Sequence, residues 1–214
     1  MPLFDTHSHI YLSKEKTESD IIVDIENDVN LKYIASIGTT LETSKHNIEL
    51  SKKYPFIIPT IWIHPCHVED YYEKREETFL LLESLLQESK VYAIGECGLD
   101  YYRLPPRLSD TRLEINKLKE IQKIFFIKQI HLAKKYSLPI IIHNRESRED
   151  ILKILIETNC KNFVFHCYSE DYDFAKRLFN FAPNAMISFS GIVTFNNAKV
   201  VQETAKKIPL KICL

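Results

Sequence analysis

The chain has 214 residues, 45 % of them hydrophobic and 27 % charged, with a formal net charge of −1. That length and balance suit one core, a single domain over 1–214, and exclude a disordered chain, which needs low hydrophobicity and a large net charge. A near-neutral chain has no overall positive field to gather nucleic acid, so any phosphate binding has to be local.

The N-terminus, MPLFDTHSHI, lacks a basic stretch followed by an apolar run, so no signal peptide is expected. The most apolar stretch, 56–63, is too short to span a bilayer and contains Pro59. Five cysteines, an odd number without a CxxC pair, read as reduced thiols of a cytoplasmic protein. Neither a membrane nor a protein partner is implied.

In chain order, short apolar runs recur at 3–6, 33–37, 57–63, 91–94, 139–142, 162–165, 185–189 and 210–214. They are β-branched, aromatic and nearly continuous, as strands covered on both faces of a parallel sheet read. Segments of helical period lie between them. Phe79 and leucines recur at three- and four-residue spacing through 78–86, and Ser147 is a candidate N-cap ahead of Ile151, Leu152, Ile154 and Leu155. Asn196 or Asn197 is expected to cap the helix that runs to Lys207. Eight candidate strands in strict alternation with helices predict a (β/α)8 TIM barrel. The rival, an open doubly wound sheet, announces itself with a glycine-rich phosphate loop; only four glycines are present and none forms GxGxxG. The connection from Leu99 to Ser137 is the longest and carries a charged block, Arg103 to Lys123. Arg103, Arg107, Arg112, Lys117, Lys119 and Lys123 outnumber Asp110, Glu114 and Glu120 there. It reads as a solvated helix or hairpin added to the barrel, with a phosphate-facing lobe as the alternative.

Polar residues fall at the C-terminal ends of the proposed strands. Asp5-Thr6-His7-Ser8-His9 closes the first; alternate strand residues share a face, so His7 and His9 project together into the barrel mouth. His64-Pro65-Cys66-His67 follows the third, Gly95-Glu96-Cys97-Gly98-Leu99-Asp100 the fourth, His143-Asn144-Arg145 the fifth and His166-Cys167-Tyr168-Ser169 the sixth. This is the rim on which (β/α)8 enzymes carry their catalytic groups. A lone histidine at a strand end reads as a structural residue, whereas His and Glu supplied by four strands to one rim read as a metal site. Imidazole with carboxylate suits zinc, manganese or a similar divalent ion. Glu96 is the only carboxylate among His7, His9, His143 and His166 and is placed to bridge two ions. His46 and His131 lie in helical segments and read as structural or solvated. Cys66, Cys97 and Cys167 read as buried thiols rather than ligands.

The segments FDTHSH, IHP, GECGLDYYR, LPIIIHNR, FHCYS and ISFSGIVTF, in this order and spacing, resemble the TatD family of metal-dependent deoxyribonucleases, within the amidohydrolase superfamily. The resemblance covers essentially the whole chain. It implies a TIM barrel, one or two divalent ions (Mg, Mn or Zn) and hydrolysis of phosphodiester bonds, with DNA as substrate and exonuclease action. It also implies that His7 and His9 hold one ion, His143 and His166 the other, and that Glu96 is shared. The chain departs from the family at Trp62, which stands for a glycine and puts bulk near the mouth. A second departure, Glu170, also replaces a glycine and puts a negative charge near a phosphate path. The family continues its last strand into a Glu-Thr-Asp segment whose aspartate completes the site; this sequence ends where that segment begins. The expectation is a barrel truncated at its eighth strand.

The expected chemistry is attack on phosphorus by water made acidic at a metal, with Glu96 the central catalytic residue. Arg145, two residues past His143, is read as a phosphate clamp, against an exposed salt bridge. His64 is expected to touch substrate or move a proton. Tyr101 and Tyr102 are candidates for stacking on bases, against packing in the core. Asp5 is read as orienting a histidine or bonding within the barrel floor. Two rival readings stand: a small-molecule amidohydrolase, because the fold does not decide the substrate, and a truncated metal-binding barrel without turnover.

Overall fold

The computed structural model describes residues 2–104 and 114–213. Strand β1 (Leu3–Ser8) leads through a turn at Ile10–Leu12 to helix α1 (Glu18–Asn27), and β2 (Leu31–Ser36) leads to α2 (Leu41–Lys53). Next come β3 (Ile57–Ile61), the turn Pro65–His67, α3 (Val68–Tyr71) and α4 (Arg75–Glu88). Then β4 (Ala93–Asp100) is followed by α5 (Ile115–Lys135), and β5 (Ile140–Arg145) by α6 (Arg148–Glu157). Finally β6 (Phe163–Phe165) precedes α7 (Tyr172–Phe181), and β7 (Met186–Ile187) precedes the turn Gly191–Thr194 and α8 (Lys199–Lys207). The seven strands pair in chain order, each parallel to the next, so the sheet curls as the wall of a (β/α) barrel with the helices between its strands.

The run from Leu210 does not form the expected eighth strand. It is a 3-10 turn over Leu210–Ile212, and Cys213 alone makes a parallel bridge, to Ile187. The amides of Ile212 and Cys213 bond back to the carbonyls of Pro209 and Leu210, so they are spent locally rather than on a ladder.

Helix starts are set by side chains in two places that the sequence reading passed over. Thr17 and Thr40 each accept the N–H three residues on, and the residue there returns a bond to the cap backbone. The expected caps behave otherwise. Ser147 does stand at the N-cap position of α6 but makes no side-chain cap bond; its hydroxyl donates to the Leu99 carbonyl at 2.9 Å, tying the start of α6 to β4. Helix α8 begins after Ala198 with no side-chain cap, so neither Asn196 nor Asn197 serves.

Among the described residues, the charged connection from Ile115 on is the crossover helix α5. Leu118, Ile121, Phe125, Phe126, Ile130 and Ala133 recur at helical spacing along α5 and are buried, while Lys123 reaches Glu120 and Asp150. Arg107, Asp110 and Arg112 of that block lie outside the described residues. All eight residues of β4 are buried, consistent with a strand covered on both faces. Trp62 adds its bulk to the core and is fully buried, its peptide N–H and carbonyl both bonded to the Ser44 hydroxyl. No helix among the described residues is long and apolar enough to cross a membrane.

Candidate metal centre

Parallel strands place their C-terminal ends on one rim, and five segments meet there. His7 stands in β1 and His9 just beyond it; His64 follows β3; Glu96 and Asp100 lie in β4, His143 in β5, and His166 one residue past β6. The Nε2 atoms of His7 and His9 are 3.3 Å apart and lie 3.4 and 3.7 Å from Oε2 of Glu96. The other oxygen of Glu96, Oε1, is 2.9 Å from Nδ1 of His143. His166 stacks flat on His7, with ring centroids 3.3 Å apart, and His64 meets His143 edge-on at 4.5 Å. Ligand atoms of His7, Glu96 and His166 lie within 4.8 Å of one another, as do those of His64, Glu96 and His143. Glu96 is the common member of two adjoining donor groups. His166 stands beside His7, where the resemblance pairs it with His143, and His64 stands among the donors, 8 % exposed.

Electrostatics favour ligand forms on most of these groups. Burial pushes His64 down to about 3, with His143 adding to the effect; burial and His7 do the same to His166. Both are neutral at pH 7, the form that binds a cation. Burial also opposes charge on His143, but hydrogen bonds to Asp100 and Glu96 outweigh it and raise that imidazole to about 9. Burial likewise opposes charge on Glu96, yet bonds to His143, His7 and His9 hold its carboxyl well below the usual range.

The donor set fits a divalent cation. Nδ1 of His7 is buried with no hydrogen-bond partner among the described residues, and two imidazole Nε2 atoms face each other beside a buried carboxylate. Nitrogen lone pairs so arranged repel unless a proton or cation lies among them. Several imidazoles around one carboxylate form the mixed nitrogen and oxygen set of zinc and manganese sites.

Two residues the sequence reading gave no role support the centre. Asp100 is fully buried and sits 3.1 Å from Nε2 of His143. Its signal was the strand period, since 96, 98 and 100 share one face. The Tyr11 hydroxyl donates to the Ile37 carbonyl at 2.6 Å and lies 3.5 Å from Nδ1 of His9; no sequence pattern marked it. Asp5 is exposed and accepts the His7 backbone N–H at 3.0 Å, so it orients no imidazole. Cys66 and Cys97 hold their protons: burial, then the Asp100 charge, push Cys66 up to about 12, and burial pushes Cys97 well up.

A cleft of about 720 Å³ opens past the ends of β4, β5 and β6, lined among others by Tyr101, Tyr102, Arg145, Arg148, Ser169 and Glu170, with none of the donors in its wall. The Arg145 guanidinium is exposed and lies over the Tyr102 ring, 3.8 Å from its centroid. Tyr101 donates its hydroxyl to Asp150 at 2.7 Å and has Lys119 over its ring, so this ring is held in place. The charge of Glu170 is balanced by Arg148 at 3.2 Å, and its other oxygen accepts from Asn144.

A curled parallel sheet whose strand ends converge imidazoles on a shared buried carboxylate defines a barrel hydrolase that works with metal. The family model described as TatD related DNase matches residues 4–214. The metal-dependent hydrolase YabD of Bacillus subtilis is 34 % identical over 211 residues, 97 % of this chain and 76 % of that protein. The metal-dependent hydrolase YcfH of Escherichia coli is 32 % identical over 217 residues, covering 98 % and 74 %. Among solved structures, the TatD homologue YJJV of Escherichia coli superposes with a TM-score of 0.82 at 23 % identity, covering 99 % of this chain and 76 % of that one. The phosphotriesterase homology protein of Escherichia coli superposes with a TM-score of 0.67 at 12 % identity, covering 99 % and 80 %. The chain belongs to the TatD-related DNase family and is a metal-dependent hydrolase.

Proposed function

We propose that the chain is a deoxyribonuclease that hydrolyses phosphodiester bonds in DNA from an end, acting in the cytoplasm as a single domain. The observation that carries this reading is Glu96, whose two oxygens face different imidazoles, Oε2 toward His7 and His9 and Oε1 toward His143. One carboxylate serving two donor groups is what a two-ion centre for phosphoryl transfer needs. His7, His9, Glu96, His143 and His166 would hold the ions, with His64 beside them. Bound divalent ions supply Lewis acidity, which polarises a phosphoryl oxygen and makes water nucleophilic near neutral pH.

The remaining work falls to the protein. Arg145, exposed at the cleft and steadied over Tyr102, clamps a phosphate with a planar fork of donors. Tyr101, fixed through Asp150, forms a rigid wall of the cleft against which a nucleotide rests. His64, neutral and nearly buried, carries no charge to repel a cation.

The test incubates purified chain, loaded with Mn²⁺ or Zn²⁺, with end-labelled single- and double-stranded DNA beside a panel of small amides and esters. Metal-dependent release of nucleotides from DNA ends is expected. Turnover of an amide or ester without DNA cleavage would move the protein to small-molecule hydrolysis.

A further inference from the structure

We propose that Asp100 is the positioning residue of the metal centre, its carboxylate holding the Nε2 side of His143 so that Nδ1 faces Glu96. The proposal rests on the metal-centre reading given above.

A buried carboxylate is costly to keep, so a fully buried one calls for a reason. Asp100 is held through both carboxylate oxygens and its peptide. Oδ2 lies 3.1 Å from Nε2 of His143 and accepts the Cys66 thiol at 3.6 Å, while Oδ1 accepts the Arg103 N–H at 2.9 Å. Its peptide is clamped at both ends by Gln122 of α5, which accepts the Asp100 N–H at 2.9 Å and donates to its carbonyl at 3.1 Å. These contacts hold the carboxylate in place, and among the described residues its imidazole partner is His143.

Geometry separates this role from direct ligation. Nδ1 and Nε2 lie on opposite sides of an imidazole, so a carboxylate on Nε2 cannot share an ion held at Nδ1. A salt bridge to Arg103 does not account for the burial either: Nε is 3.9 Å away and that side chain is 54 % exposed. Among the described residues this leaves a carboxylate that accepts Nε2–H, keeps that tautomer, and leaves the Nδ1 lone pair for a cation. Carboxylates that orient ligating histidines typically change metal affinity 10- to 100-fold when removed.

The experiment has two arms. In the unsubstituted protein loaded with Zn²⁺, nitrogen NMR should show His143 protonated at Nε2 and coordinated through Nδ1; coordination through Nε2 would overturn the proposal without any variant. In the second arm, Asp100→Asn is titrated with Zn²⁺ against a chromophoric chelator. One class of site should weaken at least tenfold while another keeps its affinity. Parental affinity for every ion in a folded variant would overturn the proposal and leave the metal centre standing. Failure of the parent itself to bind Zn²⁺ would overturn both.

Discussion

Gly98 of β4 lies so close to its register partner on β5 that a Cβ added to it would sit 2.1 Å from the His143 carbonyl oxygen. Its φ of +137° is also one that L side chains rarely adopt. Two independent penalties, overpacking against backbone and an unfavourable dihedral, fall on the same methyl group. Gly98→Ala should destabilise the fold by about 3 kcal/mol, and by pushing β5 outward should weaken metal binding at His143. Chemical denaturation and a metal titration check this; an unchanged midpoint would show that the strands separate without penalty.

Glu96→Gln keeps the size of the side chain and removes the charge shared between the donor groups. Hydrolysis should fall by well over tenfold, more than about 1.4 kcal/mol in the barrier. Bound metal should fall with it, as mass spectrometry under native conditions would read. A variant keeping full activity and metal content would remove Glu96 from the centre.

Metal loading should release protons near neutral pH. His143 is raised to about 9 in the metal-free protein, so at pH 7 it is charged and must lose a proton before Nδ1 can take a cation. Its stabilising bonds to Asp100 and Glu96 are fully present below the ordinary value of 6.5 and are lost as pH climbs through 9. Metal affinity should accordingly rise with pH across this window and then level off. His64 and His166, lowered to about 3, contribute no proton there. Calorimetry in buffers of different ionisation enthalpy should count about one proton released at pH 7, about half a proton near pH 9 and almost none above about pH 10; release that does not change between these pH values would contradict the assignment.

Arg145→Ala should raise KM for DNA about tenfold, the loss of roughly 1.4 kcal/mol from a charge-assisted contact. Metal content should stay the same. Steady-state kinetics at two salt concentrations distinguish this from general damage, because the variant's salt dependence should be shallower. An unchanged KM would place the phosphate elsewhere.

The barrel wall was legible because parallel strands buried on both faces leave a coarse signal, apolar runs separated by helical stretches. The same signal misled at Leu210, whose apolar run bonds back to its own carbonyls as a turn and reaches the sheet through a single bridge from Cys213 rather than as a strand. His7, Glu96, His143 and His166 could be read from strand ends, where period two and short spacing do the work. Which imidazole stands beside which could not, because stacking of His166 on His7 depends on how β6 approaches β1 around the curl. Asp100 shares a strand face with Glu96, yet its role lies in a contact with His143 across 43 residues of sequence, which spacing does not encode. Tyr11 was invisible for the same reason: its hydroxyl partners belong to the segment after β2.

The convergence of donors from β1 through the end of β6 also bears on how the chain folds. No two neighbouring segments suffice, so a complete cation-binding centre cannot exist until six strands have assembled in order. Parallel topologies of this kind rely on contacts distant in sequence and gather them slowly. A cation captured at the end would act as a clasp across the assembled strands, favouring the native state by RT ln(1 + [M]/Kd), about 2.7 kcal/mol at a hundredfold excess over Kd. Zinc uptake by the His7, Glu96 and His166 group during refolding would therefore time the joining of β1 and β6 to β4, whereas the His64, Glu96 and His143 group needs only β3 to β5.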